Sequence, residues 1–203
     1  MTDQLQHYRD LFRSHGDAAQ SVQHYDAASQ RNRFRVLAEF ASAHGSVVDV
    51  GCGLGHFCTY LRELGFRGRY LGLDFVPEFI EHASRKHAGD PAARFQAFDM
   101  TRDAYPEGED VYVICGVFNN RQVDSEQFLY ETLRKVFRAS RKGVAFNALS
   151  TYVDYQDASL FYADPLKVLD FCKRELTPRV LLRHDYLVRE DRPPYEYAIY
   201  LYK

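Results

Sequence analysis

The sequence has few of the features that mark secreted, metal-binding and membrane-spanning chains. Its 203 residues include only four cysteines, which form no CxxC pair and no Cys/His cluster with zinc spacing. No apolar run is long enough to span a membrane, and the polar start MTDQLQHYRD has no apolar signal core. These absences argue against a disulfide framework and a structural metal. We expect a cytoplasmic protein with reduced cysteines.

The chain also has no large excess of charge of either sign. The chain has 26 Lys and Arg residues against 28 Asp and Glu residues, a formal net charge of -2. Such a chain has no strong field to attract a polyanion, so we expect neither nucleic acid nor a membrane surface as a partner. Tryptophan is absent, whereas 15 Tyr and 15 Phe are present. These rings suit either a core or a pocket for a planar ligand.

Apolar patterning predicts that strands and helices alternate along most of the chain. The predicted strands are VVDV (47–50), RYLGLD (69–74), ARFQAF (93–98), DVYVIC (110–115) and GVAFNAL (143–149). Helical patterns between several of them predict a parallel sheet with helices on both faces. Two long strands, roughly 178–188 and 195–202, close the chain around a Pro-Pro turn and add an antiparallel hairpin.

Helical patterns also occupy the N-terminal region and one segment late in the chain. The apolar spacing of residues 29–44 predicts a helix that Ser29 caps and Gly45 ends. A further helix is expected from Pro165 to Arg174. The preceding segment, residues 150–165, is long for a connection, and such loops often act as lids.

The segment VVDVGCGLG, residues 47–55, carries the clearest chemical signal. Glycines at 51, 53 and 55 follow a strand and precede a helix, so the backbone can turn tightly and a ligand can touch it. Asp74 closes the next strand, where an acid would accept hydrogen bonds from the ribose of an adenosine-containing ligand. Two cofactor classes fit this pattern, the dinucleotides and S-adenosylmethionine.

Three features favour S-adenosylmethionine. The spacing G-x-G-x-G leaves His56 where a dinucleotide loop has its third glycine. Asp49, two residues before Gly51, would repel a pyrophosphate but could help to organise the loop for a methionine ammonium group. The antiparallel end is not expected of a plain dinucleotide fold.

These motifs resemble those of the class I S-adenosylmethionine-dependent methyltransferases over about residues 46–149. VVDVGCGLG resembles their first motif, GLD ending on Asp74 the second, AFDM with Asp99 and Met100 the third, and VYVICGVFNN the fourth strand with its loop. The chain is also similar to small bacterial methyltransferases of unassigned substrate. That likeness lies in SQRNRF (29–34), FNAL (146–149) and LRHDYL (182–187).

The resemblance implies a cofactor site. The methionine part would be held by the acid and the glycine loop: Asp49, Gly51, Cys52, Gly53 and Gly55. Asp74 would bind the ribose with Phe75 beside the adenine, Asp99 and Met100 would recognise the adenine, and Cys115 and Gly116 would lie beneath the sulfonium.

The resemblance also implies the fold class. We expect an α/β Rossmann-like three-layer sandwich with a mostly parallel seven-stranded sheet, an antiparallel C-terminal hairpin and an N-terminal helical cap. Residues 1–203 would form one methyltransferase domain. It would comprise the cap (1–45), a cofactor-binding core (46–149), and a lid segment, helix and hairpin (150–203).

The expected reaction is methyl transfer to a small-molecule acceptor, to an O, N or C atom. The sulfonium carries an activated methyl group, so a general base matters only for a hydroxyl or an acidic carbon. Candidate catalytic residues are His184, Asn119 and Tyr162. The motif (Asp/Asn)-Pro-Pro-aromatic of amino-group methyltransferases is absent, which argues against methylation of DNA amines or glutamine amides.

Structural roles compete with several of these assignments. His184 suits a half-buried strand position, Asp74 could cap the helix that begins near Pro77, and Asp99 could close a turn toward Thr101. His24, another base candidate, could belong to a lid or to a surface helix. Arg33 could contact a ligand carboxylate or lie in solvent.

The same sequence pattern also fits three other functions. They are a nicotinamide-dependent dehydrogenase, a non-catalytic binding module and an aminopropyl transferase. The missing third glycine argues against the first, and the intact Asp49, Asp74 and glycines argue against the second.

Overall fold

An eight-stranded sheet forms the centre of the computed structural model, which describes residues 2–203. The strands are β1 Ser46–Val50, β2 Arg69–Asp74, β3 Ala93–Ala97, β4 Val111–Ile114, β5 Gly143–Ser150, β6 Tyr162–Ala163, β7 Val180–Arg183 and β8 Glu196–Tyr202. Their order is β3-β2-β1-β4-β5-β8-β7, with β6 beside the end of β5. Within residues 2–203, β8 runs in the opposite direction to the other strands and pairs antiparallel with both β5 and β7. The strand order reverses between β1 and β4.

Six α-helices pack around the sheet in residues 2–203. They are α1 Thr2–His15, α2 Ala27–Ala41, α3 His56–Glu63, α4 Pro77–Lys86, α5 Ser125–Ala139 and α6 Pro165–Phe171. None of the helices in residues 2–203 is both long and apolar enough to cross a membrane.

Alternate residues of the central strands point to opposite faces and produce two apolar layers. On β4, Tyr112 and Ile114 belong to the layer that contains the Leu129 and Leu133 side chains of α5. Val111 and Val113 belong to the other layer, with α2 and α3. This division confirms the predicted α/β three-layer architecture.

Four details of the elements differ from the sequence predictions. The N-cap of α2 is Asp26, not Ser29: the Asp26 carboxylate accepts from the Ser29 amide at 2.7 Å, and the Ser29 hydroxyl bonds the Asp26 amide. Ser29 is therefore the third helical residue of a capping box. The last full turn of α6 is followed by a π-turn at Cys172–Leu176, so the α-helix ends before Arg174.

The other two differences concern the strands of the sheet. β6 adds an eighth strand of two residues inside the predicted lid segment. β7 stops at Arg183 instead of continuing to 188, because the chain then leaves the sheet and packs on α2. There Tyr186 and Val188 join the apolar layer that contains α2 and α3, and the side-chain amide of Asn32 donates to the Val188 carbonyl at 3.1 Å.

Candidate active site

One cavity of about 410 Å³ lies at the carboxyl ends of β1, β2 and β4. This is the edge at which open α/β sheets bind ligands, next to the point where the strand order reverses. Of the residues predicted for the site, the cavity lining contains Asp49, Gly51, Cys52, Gly53, Asp74, Phe75, Asp99, Met100, Cys115, Gly116 and Asn119. The structure thus brings together side chains from four strand ends and their loops.

The glycine loop turns so sharply that side chains would collide within it. Gly51 and Gly53 adopt positive φ angles of 77° and 53°. A Cβ at Gly51 would collide with the side chain of Val117, and one at Gly53 would lie 2.7 Å from Val22. The amides of Gly51 and Cys52 both donate to the Leu73 carbonyl, at 2.8 and 3.0 Å, which ties the loop to the end of β2.

Asp49 is a buried acid with one free oxygen. Its Oδ2 accepts a hydrogen bond from the Tyr70 hydroxyl, whereas Oδ1 has no hydrogen-bond partner among the described side chains and backbone. Burial raises the pKa of Asp49 to about 7, although the Tyr70 hydrogen bond opposes this rise. An unpaired buried carboxylate oxygen is costly, so this atom suits a cation or a hydrogen-bond donor in the cavity.

Asp74 links β2 to the glycine loop. Its Oδ2 accepts from the Gly53 amide at 2.9 Å, and its Oδ1 accepts from the Val76 amide at 3.0 Å. Burial raises the pKa of Asp74 to about 6 against these two hydrogen bonds. The N-cap position of α4 is occupied by Val76, so Asp74 does not cap that helix.

Asp99 takes the turn role that competed with ligand recognition, and it also lines the cavity. Its Oδ1 accepts from the Thr101 amide at 2.9 Å and from the Thr101 hydroxyl at 2.6 Å. Partial burial opposes ionisation, but the hydrogen bonds from Thr101 outweigh it and hold the pKa of Asp99 below its usual value.

A buried polar network joins α2, β5 and β8 beside the loop that follows β4. The Arg33 guanidinium is paired with Glu196, its Nε lying 2.9 and 3.0 Å from the two carboxylate oxygens. Asn147 donates to Glu196 at 2.8 Å and accepts from the Gly116 amide at 2.8 Å. The remaining Arg33 Nη1 lies 3.1 Å from Nδ1 of His24.

Sequence reasoning missed this network. Arg33 is buried, neither solvated nor free for a ligand carboxylate, because Glu196 pairs with it. The available signals were the segments SQRNRF and FNAL, which supply Arg33 and Asn147. Glu196 gave no signal, since it begins an otherwise apolar strand.

The structure places three predicted site residues away from the cavity lining. His184 follows β7 and lies between the rings of Tyr152 and Tyr197, and its buried Nε2 has no partner in the described part of the chain. The Tyr162 hydroxyl accepts from the Asp157 amide at 3.2 Å. Gly55 caps α3, and its amide donates to the Cys52 carbonyl at 3.0 Å.

The N-terminal region covers the cavity. The Tyr8 ring of α1 packs edge-on against Phe75, with ring centroids 5.8 Å apart. Gln23 joins this contact to the loop after β4: its Oε1 accepts from the Tyr8 hydroxyl at 2.8 Å and from the Asn120 amide at 2.7 Å. From the long segment 150–165, Leu160 lines the cavity.

Comparison with known proteins decides the family. A family model described as a methyltransferase domain matches residues 47–143. A Mycobacterium tuberculosis protein, described as a methyltransferase without a stated substrate, is 37% identical over 148 residues, 70% of this chain and 86% of that protein. The chain belongs to the class I S-adenosylmethionine-dependent methyltransferases.

Further similarities are more distant. A malonyl-[acyl-carrier protein] O-methyltransferase of Pectobacterium atrosepticum is 30% identical over 128 residues, 61% of this chain but only 47% of that enzyme. In fold, the methyltransferase is similar to the magnesium protoporphyrin IX methyltransferase of Synechocystis PCC 6803 with bound S-adenosylhomocysteine. The TM-score is 0.70 at 12% identity, over 100% of this chain and 95% of that one. S-adenosylmethionine is the cofactor of this family.

Proposed function

We propose that this methyltransferase transfers the methyl group of S-adenosylmethionine to a small-molecule acceptor inside the cavity described above. The observation that carries the proposal is a single covered cavity lined by both a glycine loop and uncharged polar side chains. Its volume of about 410 Å³ is near the lower end of the range for small-molecule sites. Because α1 and Gln23 cover it, the cavity suits a small acceptor better than a macromolecular chain.

The cofactor end of the cavity would be the part formed by β1, β2 and β3. The free Oδ1 of Asp49 offers a carboxylate oxygen to a positively charged methionine part. The sharp turn at Gly51 and Gly53 leaves backbone open to a ligand. Asp74 would bind the ribose with Phe75 beside the adenine, and Asp99 and Met100 would recognise the adenine; all four residues line the cavity.

When bound, S-adenosylmethionine supplies a methyl group whose departure from sulfur leaves a neutral thioether. The protein therefore has to align the acceptor with that methyl group and to exclude water. The Asn147 side chain fixes the backbone of Gly116 by accepting a hydrogen bond from the Gly116 amide, and Gly116 lines the cavity. Tyr8 and Gln23 close the cavity from above.

A labelling experiment tests the size of the acceptor. The protein is incubated with S-adenosylmethionine carrying a radioactive methyl group and with an extract of its source cells, which is then separated by size. The proposal expects label in the small-molecule fraction. Label in precipitated protein or nucleic acid would instead assign a macromolecular acceptor. The cytoplasmic location stays a prediction from the sequence.

A further inference from the structure

The acceptor end of the cavity has no free charge. This end is defined by His24, Arg33, Gly116, Asn119, Leu149 and Tyr195. Arg33 is its one permanent charge in the described chain, and Glu196 neutralises it. The three cavity-lining carboxylates lie at the ends of β1, β2 and after β3. A charged acceptor would therefore lose its hydration at this end without gaining a counter-ion.

Arg33 fixes the tautomer of His24. A guanidinium has only N–H donors, so the His24 Nδ1 that lies 3.1 Å from Arg33 Nη1 must be the unprotonated nitrogen. The proton of the neutral ring is then on Nε2. Among the described side chains, the ring is hydrogen-bonded only to Arg33, through Nδ1. The ring lines the cavity beside Gly116, which leaves the Nε2–H for a ligand.

His24 consequently cannot serve as a general base. Its accepting nitrogen is occupied by Arg33. The groups that face it are Arg33 on α2, His56 on α3 and, behind Arg33, Glu196 on β8. Burial and the charges of Arg33 and His56 lower the pKa of His24 to about 3. Burial also raises the pKa values of Cys115 and Tyr195, so both keep their protons at neutral pH and neither serves as a general base.

Asn119 supplies the complementary group. Its Oδ1 is buried and accepts no hydrogen bond from the described side chains and backbone, although the side chain lines the cavity next to Gly116. A buried amide oxygen without a donor costs free energy that a ligand N–H or O–H recovers. The acceptor end thus offers one donor, on His24, and one acceptor, on Asn119.

We propose that the methyl acceptor is an uncharged amino compound with a lone-pair oxygen or ring nitrogen next to its amino group. This inference rests on the proposed function. The amino N–H donates to Asn119 Oδ1, and the neighbouring lone pair accepts from His24 Nε2–H. The amino nitrogen keeps its own lone pair for attack and needs no base at that moment. A hydroxyl would need one.

The step balances without a protein base. The nitrogen lone pair forms the new N–C bond, while the C–S bond breaks and its electron pair stays on sulfur. The nitrogen then carries a positive charge, and its extra proton passes to water. His24 and Asn119 are in this view specificity-determining residues that orient the acceptor.

Nuclear magnetic resonance of the imidazole nitrogens tests the first half of the proposal. In protein saturated with S-adenosylhomocysteine, His24 should be a neutral Nε2–H tautomer from pH 8 down to pH 5. The His24→Gln variant, which lacks this imidazole, identifies its signals. An Nδ1–H tautomer of His24, or its protonation between pH 6 and 7, overturns the proposal.

Three matched probes test the second half on the same loaded protein. They are 2-aminobenzamide, 2-hydroxybenzamide and 2-aminobenzoate. We expect the first to bind the S-adenosylhomocysteine complex most tightly and to shift the His24 and Asn119 signals. When S-adenosylmethionine replaces S-adenosylhomocysteine, the first should also accept a methyl group. Asn119→Leu should weaken its binding about 10-fold, an effect of the size of one lost hydrogen bond. Asn32→Leu, which removes an amide outside the cavity lining, should not.

Tighter binding of the hydroxyl or carboxylate probe, methylation of the hydroxyl probe, or no binding of any probe overturns the proposed acceptor class. Binding of S-adenosylhomocysteine is measured first on the same samples. Failure of that binding would contradict the proposed function itself, whereas failure of the probes alone contradicts only this inference.

Discussion

At the scale of single residues, the glycine loop is the most constrained part of the site. Gly51 has a positive φ angle, and a Cβ there would also collide with Val117. Gly65 has a positive φ of 88° as well, but nothing lies within 4 Å of its Cβ position. A substitution at either glycine would strain the backbone. A side chain at Gly51 would in addition collide with neighbouring atoms, whereas one at Gly65 would not.

This difference gives a matched pair of variants. Gly65→Ala should cost about 1–2 kcal/mol of unfolding free energy through backbone strain alone. Gly51→Ala should cost more and should also weaken cofactor binding, because Val117 or the loop must move. Urea unfolding and calorimetric titration of both variants measure the two effects. Equal stability losses with unchanged cofactor affinity would show that the loop tolerates a side chain.

Asp49 should make stability depend on pH. Its folded-state pKa of about 7 lies above the ordinary 3.8, so the folded protein keeps a proton that the unfolded chain has released. The contribution of this proton to the free energy of unfolding has its full value below about pH 4 and is lost as the pH rises to about 7. Between pH 5 and pH 8, the free energy of unfolding of the cofactor-free wild type should fall by on the order of 1–4 kcal/mol more than that of Asp49→Asn. Urea unfolding at both pH values measures this difference, and identical pH profiles would contradict the assignment.

At the scale of elements, the Arg33–Glu196 pair ties α2 to the start of β8. Both side chains are buried, so removing one leaves a buried charge without its partner. Arg33→Met should cost about 3–5 kcal/mol of unfolding free energy. Arg31→Met breaks the exposed pair with Glu63 and should cost less than about 1 kcal/mol. Chemical denaturation compares the two, and a similar small cost for both would refute a structural role for the buried pair.

Local sequence patterns predicted the elements where burial is continuous along the chain. β1, β4 and β5 are apolar runs buried on both faces, and β2 ends on Asp74 as expected. Predictions were wrong where tertiary contacts decide a boundary. Apolar alternation continues past Arg183, yet Tyr186 and Val188 pack on α2 instead of extending β7.

At the scale of the whole molecule, local patterns predicted the residues of the cofactor end of the cavity but not those of the acceptor end. Parallel strands in a known order place their carboxyl ends together, so Asp49, Asp74 and Asp99 could be predicted to share one site. The acceptor end depends on contacts between distant segments. Arg33 and Glu196 are 163 residues apart, and no local spacing announces such a pair. His184 was predicted as a catalytic residue, but it follows β7 and packs near the rings of Tyr152 and Tyr197, outside the cavity lining.

Calorimetric titration with S-adenosylmethionine and S-adenosylhomocysteine tests the central claim most directly. The wild type should bind both with a Kd on the order of 1 μM, about -8 kcal/mol. Asp74→Ala should lose this binding, because it removes the carboxylate that holds the Gly53 amide and faces the cavity. Asp170→Ala, on an exposed pair of α6, should bind like the wild type. A folded wild-type protein that binds neither compound would contradict the account.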